Sequence, residues 1–158
     1  MPRRPRWDLP DGFFHVTALG VAGSLIVVDD HDRNAFRRAV LSLERRFRVT
    51  NHAWCLMNTH FHIVLEAKQP ELSRAMHWLN GVYAQRFNLR HGRRGHLFEN
   101  RFSAWVIESE KHLANAIEYV LQNPVKAGLC RSWWEWPWSG ARGVRRPRGR
   151  APPRQARL

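Results

Sequence analysis

The chain has 158 residues, 44% of them hydrophobic, which is enough to build one sizeable core but hardly two. Its 26 Lys and Arg residues outnumber 13 Asp and Glu residues, and the formal net charge of +13 favours a polyanionic partner. The apolar stretch over residues 13–28 is interrupted by polar residues and glycines, which excludes a signal peptide or membrane span, and we expect a cytoplasmic protein.

Along the body of the chain, the hydrophobic pattern alternates between the periods of strands and helices. It predicts strands at 13–19 and 25–28, a helix at 34–47, strands at 49–57 and 60–67, a helix at 70–88, a strand at 102–107 and a helix at 109–122. Asn58-Thr59 is a short connection typical of an antiparallel hairpin, and Pro124 is expected to end the last helix. This order indicates an α+β, ferredoxin-like fold with the helices on one face of an antiparallel sheet.

Much of the positive charge lies at the two ends of the chain. Three arginines fall within residues 1–7, and residues 141–158 contain seven arginines, three prolines and no acidic residue. Such segments have too little apolar surface to fold alone. We therefore expect a basic N-terminal arm over 1–7, a single domain over 8–140, and a disordered Arg/Pro-rich tail over 141–158 that contacts a phosphate backbone.

The most specific local pattern is His60-Phe61-His62, inside an apolar predicted strand. Because side chains alternate between the two faces of a strand, His60 and His62 point the same way and Phe61 points the opposite way. Two imidazoles at this spacing are able to bind one metal ion. The spacing also suits two half-exposed histidines on a sheet surface, and the pair alone favours that simpler interpretation.

A second polar pair lies on the last predicted helix. Tyr119 and Asn123 are four residues apart and share a helix face, which a helix packed over the sheet would bring to the histidines. The phenol is a candidate nucleophile and the amide carbonyl a candidate metal ligand, an assembly suited to phosphoryl transfer. A core tyrosine and an asparagine that stops a helix before Pro124 fit the same spacing, which leaves both interpretations open.

Four stretches resemble one known family in their order and separation: FFHVTAL from Phe13, HAWCLMNTHFHIVLE from His52, RRGHLFENRF from Arg93 and IEYVLQNPVKAGL from Ile117. With the WEWPWSG segment that ends at Gly140, they resemble the REP-associated tyrosine transposases of bacteria, which belong to the wider HUH single-strand transposases. The resemblance covers nearly the whole of the predicted domain.

This resemblance implies a role for each polar residue above. His60 and His62 correspond to the HUH metal ligands, Tyr119 to the nucleophile that becomes joined to DNA, and Asn123 to the residue that completes a site for Mg²⁺ or Mn²⁺. The implied product is a 5′-phosphotyrosine link with a free 3′-hydroxyl. Attack by another 3′-hydroxyl reverses the step, so no nucleotide cofactor is required, and the sequence contains no P-loop.

A cluster of arginines surrounds the predicted loop after the second helix. Its members are Arg86, Arg90, Arg93, Arg94 and Arg101. Three phenylalanines are interleaved with them, at 87, 98 and 102, and this mixture of positive charge and aromatic rings favours single-stranded nucleic acid over an ordinary solvated loop.

The leading hypothesis is a metal-dependent tyrosine transposase that cleaves and rejoins single-stranded, hairpin-forming DNA as a monomer or homodimer. Two alternatives stay open. One is a non-catalytic nucleic-acid-binding protein that keeps the same fold, and the other is a metallohydrolase that uses water and forms no covalent intermediate.

Overall fold

A five-stranded antiparallel sheet forms the centre of the computed structural model, which describes residues 10–147. Its strands are β1 (Gly12–Leu19), β2 (Val49–Leu56), β3 (His60–Ala67), β4 (Ser103–Ile107) and β5 (Ser139–Ala141). The helices are α1 (Asp30–Leu41), α2 (Leu43–Arg46), α3 (Gln69–His91) and α4 (Glu110–Lys126). The strands lie side by side in the order β4-β1-β3-β2-β5, and the chain order of β1 to β4 with α1 and α3 is the predicted ferredoxin-like one.

The central strand β3 is buried on both faces, since residues 61–65 are all buried. On one face Phe61 packs against Phe36 of α1, with ring centroids 4.9 Å apart. On the other face His62 contacts Tyr119 of α4. The prediction that all helices lie on one face is therefore wrong for α4, because a strand that is apolar on both sides needs a layer of structure on each.

The segment before the first helix, and the start of that helix, differ from the sequence prediction. Residues 25–28 form no strand; Ile26 and Val27 instead insert into the core from an irregular segment, where the Ile26 N–H donates to the Asn58 carbonyl and the Ile26 carbonyl accepts from the Tyr83 hydroxyl. The first helix begins earlier than predicted, at Asp30, because the Asp29 carboxylate accepts hydrogen bonds from two N–H groups of the first turn.

The last helix runs beyond its predicted end. Pro124 lies inside α4, which continues to Lys126. A proline near a helix C-terminus removes one backbone donor, while the Ala127 N–H still donates to the Asn123 carbonyl and closes the last turn.

The fold also continues past the predicted domain boundary at Gly140. Ala141 pairs with Ala53 across β5 and β2. Arg146 then donates hydrogen bonds to the carbonyls of Trp134, Trp136 and Ser139, which holds the first part of the predicted tail on the body. The rest of that tail, from residue 148, and the predicted arm over 1–7 lie outside the described residues. Among the helices of residues 10–147, none is long and apolar enough to cross a membrane.

A buried carboxylate joins the start of α1 to the end of α3. Asp32 is 3% exposed and accepts hydrogen bonds from the Val28 N–H and from Arg90, while its other partner is His91 Nε2, 2.8 Å from the carboxylate. Arg90 also forms an ion pair with Asp29, and this contact lowers the pKa of Asp29 to about 2. The cluster fixes α1 against α3 on the Phe61 face of the sheet.

We expect Asp32→Ala to lower the free energy of unfolding by about 3 kcal/mol, because it removes a buried carboxylate that holds the Val28 N–H, Arg90 and His91 together. Glu118→Ala is the control: Glu118 is exposed on α4 and forms no ion pair with any residue of 10–147, so its loss should cost less than about 1 kcal/mol. Urea denaturation measures both, and equal effects would contradict the role given to Asp32.

Candidate active site

The two histidines of β3 lie on one sheet face with their ring centroids 5.0 Å apart, as strand alternation predicts. One nitrogen of each ring is engaged: His60 Nδ1 lies 3.0 Å from Thr59 Oγ1, and His62 Nδ1 lies 2.9 Å from His15 Nε2. Within residues 10–147, neither Nε2 atom has a hydrogen-bond partner. Both rings therefore have one nitrogen held by the protein and one available to a ligand.

Strand β1 contributes a third histidine, His15, which the sequence prediction did not indicate as a site residue. Thr17 is paired with His62, so His15 and Thr17 lie on the same face as the two histidines of β3. Polar residues at alternate positions of the apolar run FFHVTAL were the available signal. Sequence alone did not show that this polar edge faces His62, since that depends on the register between β1 and β3.

Tyr119 of α4 stands directly over these histidines. Its ring centroid lies 5.6 Å from that of His15 and 5.7 Å from that of His62, and its side chain is 44% exposed. Lys126 Nζ lies 4.8 Å from the centroid of the tyrosine ring, a cation–π distance. The structure thus brings the predicted nucleophile to the predicted metal ligands, with a positive charge beside it and open access from solvent.

Asn123 does not reach the histidines in this arrangement. Its side-chain N–H donates to the carbonyl of Tyr119, 2.8 Å away and one turn earlier in α4. Its amide oxygen makes no hydrogen bond with any residue of the described part of the chain. Asn123 therefore sits next to the tyrosine with an unused oxygen, but no contact joins it to either imidazole.

Burial keeps the histidines of this site uncharged. It lowers the pKa of His15, His60 and His62, and for His62, where His15 and His60 add like-charge repulsion, the pKa falls to about 3. A smaller contribution from His112 also lowers the pKa of His15. At neutral pH all three rings are neutral, and a neutral imidazole is the form that binds metal.

The donor atoms present fit a divalent cation. His60 and His62 offer two neutral imidazole nitrogens, and the amide oxygen of Asn123 is a hard donor one helical turn from Tyr119. Within residues 10–147, no cluster of three or more His, Cys, Asp or Glu side chains forms a metal site. The donors that could hold a cation here are the histidine pair, with the Asn123 oxygen a turn from Tyr119 but not in contact with the imidazoles.

The predicted arginine cluster lies next to the end of the sheet that carries His60. The Gly20 N–H bonds to the Thr59 carbonyl, Gly20 forms a bridge with Phe98, and the Val21 N–H bonds to the Leu97 carbonyl. Only glycine fits at position 20, because an added Cβ would stand 2.2 Å from the Ser24 carbonyl oxygen. This junction holds the loop after α3 against the turn that precedes His60.

The arginines of the cluster differ in exposure and in how many hydrogen bonds their guanidinium groups already make within the protein. The side chains of Arg86, Arg94 and Arg101 are exposed. Arg93 is partly buried, with its guanidinium carbon 5.7 Å from the centre of the Phe87 ring. Arg90 is bonded to Asp29 and Asp32, so most of its hydrogen-bonding capacity is used inside the fold.

Comparisons with known proteins agree on one family. The family model described as "Transposase IS200 like" matches residues 25–123. A Haemophilus influenzae protein named as a REP-associated tyrosine transposase is 24% identical over 117 residues, a match covering 67% of this chain and 66% of the relative. The chain thus spans slightly less than two thirds of that relative's length.

A solved structure, described as a REP-associated tyrosine transposase bound to a REP hairpin, has the same fold. It superposes with a TM-score of 0.66 at 21% sequence identity, covering 88% of this chain and 82% of the other.

The lowered pKa values predict that acid weakens the fold. The unfolded histidines take up protons below about pH 6.5, whereas each folded ring does so at a lower pH, near 3 for His62, so stability should be complete above pH 6.5 and fall as the pH is lowered. The free energy of unfolding should fall by up to about 1.4 kcal/mol per pH unit for each ring. Urea denaturation of the metal-free protein between pH 7.5 and 5 measures it.

The substitution His62→Asn should flatten this slope, whereas His77→Gln, at an exposed position of α3, should leave it unchanged. An identical pH dependence in the His62 variant would show that the buried ring does not resist protonation.

Proposed function

The chain belongs to the IS200-like transposase family, and we propose that it cleaves and rejoins single-stranded, hairpin-forming DNA through Tyr119. The observation that carries this proposal is the position of Tyr119, half exposed and directly over His15 and His62. The name of the curated relative supports chemistry at a tyrosine, and the hairpin bound to the solved relative supports a hairpin-forming substrate.

In the proposed reaction the Tyr119 oxygen attacks the phosphorus of one phosphodiester. A bond forms between the tyrosine oxygen and phosphorus, the bond from phosphorus to the 3′-oxygen breaks, the tyrosine loses its proton and the leaving oxygen gains one. The products are a 5′-phosphotyrosine link and a free 3′-hydroxyl. Attack of a 3′-hydroxyl on this link reverses the step and rejoins a strand, so no nucleotide cofactor is consumed.

His60, His62 and Asn123 would hold Mg²⁺ or Mn²⁺ beside the reacting phosphate. When bound, such a cation polarises the phosphate and neutralises charge that develops during attack. The protein prepares for this by keeping both imidazoles neutral and by holding one nitrogen of each ring, so that the other faces no protein partner among residues 10–147. Neutral rings bind the cation without first releasing protons.

The arginine cluster would guide the DNA backbone to the site. Arg86, Arg94 and Arg101 are exposed, and the loop that carries the last two is bonded to the segment beside His60. Arg93 adds positive charge next to the Phe87 ring. Arg90 contributes mainly to the fold through its ion pairs, so we assign it a smaller share of the DNA contact than its neighbours.

The variant Tyr119→Phe should lose a covalent protein–DNA adduct while its DNA affinity stays within about twofold, since only the attacking oxygen is removed. A denaturing gel with a labelled single strand that can form a hairpin, run with Mg²⁺, with Mn²⁺ and with a chelator, measures the adduct. Tyr83→Phe is the matched control, because Tyr83 is buried in the core.

Each outcome of this gel separates one of the open functions. An adduct that still forms in the Tyr119→Phe variant would show that Tyr119 is not the nucleophile. Cleavage without any adduct would indicate a metallohydrolase, and binding of the wild-type protein with neither cleavage nor adduct would indicate a non-catalytic binding protein.

The double variant Arg94→Ala with Arg101→Ala should weaken binding of single strands of any sequence to a similar degree. For each arginine that touches a phosphate, its removal should reduce the slope of log affinity against log salt by about 0.7, because fewer counterions are released. Fluorescence anisotropy over a salt series measures this. Arg38→Ala on α1, also exposed, is the control, and an unchanged slope in the double variant would exclude these arginines from the interface.

A further inference from the structure

A pocket of about 560 Å³ opens between the edge strand β4 and the helix α4, beside the tyrosine. It extends away from the reacting groups toward Trp105 on β4 and toward His112 and Asn115 on α4. A volume of this size is typical of sites for small organic ligands. Neither the attack by Tyr119 nor the binding of a cation uses these three residues.

Trp105 presents an exposed aromatic ring to the solvent. Its side chain is 55% exposed, which is unusual for an indole on a strand, and it is the cross-strand partner of His15 in the sheet. The ring centroids of Trp105 and His15 lie 5.8 Å apart, so the indole is supported from one side by the histidine. An exposed, supported indole is the kind of surface on which bases of single-stranded DNA stack, and every base has such a face.

The opposite side of the pocket offers polar groups from one helix face. His112, Asn115 and Tyr119 are spaced three and four residues apart and so lie in a row along α4. The Asn115 side chain makes no hydrogen bond to any residue of the described chain, which leaves both an amide donor and a carbonyl acceptor. The pair of groups that asparagine presents is able to bond the edge of a base at two atoms.

His112 adds one donor of known direction. Its Nδ1 accepts a hydrogen bond from the Glu108 N–H, 3.3 Å away. In a neutral imidazole the proton is then on the other nitrogen, so Nε2 is a donor. The pocket therefore combines a stacking surface on β4 with a donor and a donor–acceptor pair on α4.

Trp105 and Tyr119 are both neighbours of the same histidine ring. His15 lies between the two rings, 5.8 Å from Trp105 and 5.6 Å from Tyr119. A phosphate attacked by Tyr119 would thus place a base of an adjoining nucleotide within reach of the indole. Trp105 and Tyr119 line the same solvent-open pocket.

We propose that this pocket is a nucleobase-binding subsite, in which Trp105 stacks on the base next to the scissile phosphate while Asn115 and His112 contact its edge. The inference rests on the proposed function for the identity of the ligand as DNA. It gives the site a means of choosing where the strand is cut, because a base must be unpaired and unstacked to enter the pocket.

The test uses the full chain carrying Tyr119→Phe, so that no cleavage occurs, and a short fluorescent single strand of random sequence. Trp105→Ala should weaken binding roughly 5- to 150-fold, the loss that corresponds to one stacked base, and Trp105→Phe should retain most of the affinity. Trp134→Ala is the matched control, because Trp134 is also exposed, at 39%, but lies outside the pocket. Unchanged affinity in Trp105→Ala would overturn the subsite.

Photocrosslinking locates the base directly. A strand carrying 5-iododeoxyuridine should crosslink to Trp105, and Asn115→Ala should alter the preference among A, C, G and T at one position of bound random strands. Crosslinks that map only outside β4 and α4 would overturn the subsite. So would a loss of self-association in Trp105→Ala without any loss of DNA binding, because the indole would then cover a second copy of the chain.

Failure of this inference is distinguishable from failure of the proposed function. A wild-type protein that forms the tyrosine adduct while Trp105→Ala binds normally would keep the function and remove the subsite. If the wild-type protein forms no adduct and the Trp105→Ala substitution weakens DNA binding, the subsite is supported and the proposed chemistry is excluded.

Discussion

The arrangement of the whole molecule depends on the burial of β3 from both sides. This strand is central in the sheet, and residues 61–65 are withdrawn from solvent on both faces. Phe61, Ile63 and Leu65 require the layer made by α1 and α3, while His62 and Val64 require a second layer, which α4 provides. Covering the histidine face is what brings Tyr119 over the imidazoles. The same burial that stabilises the sheet therefore assembles the site.

Burial also sets the protonation state of the site. Removing His62 from water while placing it beside His15 and His60 makes a positive charge there costly, so its ring remains neutral well below the pH at which free histidine gains a proton, and burial lowers the pKa of His15 and His60 as well. Neutral rings are able to bind a cation and impose no positive charge when the cation is absent. The contact between His15 Nε2 and His62 Nδ1 also fixes the ring orientation.

The excess positive charge serves different purposes at different positions. Arg90 and Arg146 are engaged within the protein, the first with two carboxylates and the second with three backbone carbonyls, and both hold segments of the fold together. Arg86, Arg94 and Arg101 are exposed near the end of the sheet that carries His60. A count of charges suggests a polyanionic partner, but only the contacts of each guanidinium show which charges remain for it.

The sequence by itself predicted most of the secondary structure and the order of the ferredoxin-like fold. Its errors have physical causes. Within the apolar run 25–28, Ile26 and Val27 insert into the core from an irregular segment, and an apolar run does not distinguish this from a short strand. Pro124 was expected to stop a helix, yet a proline in the last turn costs only one backbone bond, so α4 continues past it.

The sequence also indicated the candidate site residues: strand and helix periods place His60 with His62 and Tyr119 with Asn123 through local geometry, and the family resemblance implies their roles. Only the tertiary structure decided that α4 covers the histidine face, that His15 contacts His62, and that Trp105 and Asn115 border the same pocket as Tyr119. His15, His62 and the helix α4 lie far apart in the chain, and Trp105 is on a different element from Asn115 and Tyr119, so these meetings depend on strand register and on helix packing. Neither is encoded in any short segment, because both result from burying the apolar surface of the whole domain at once.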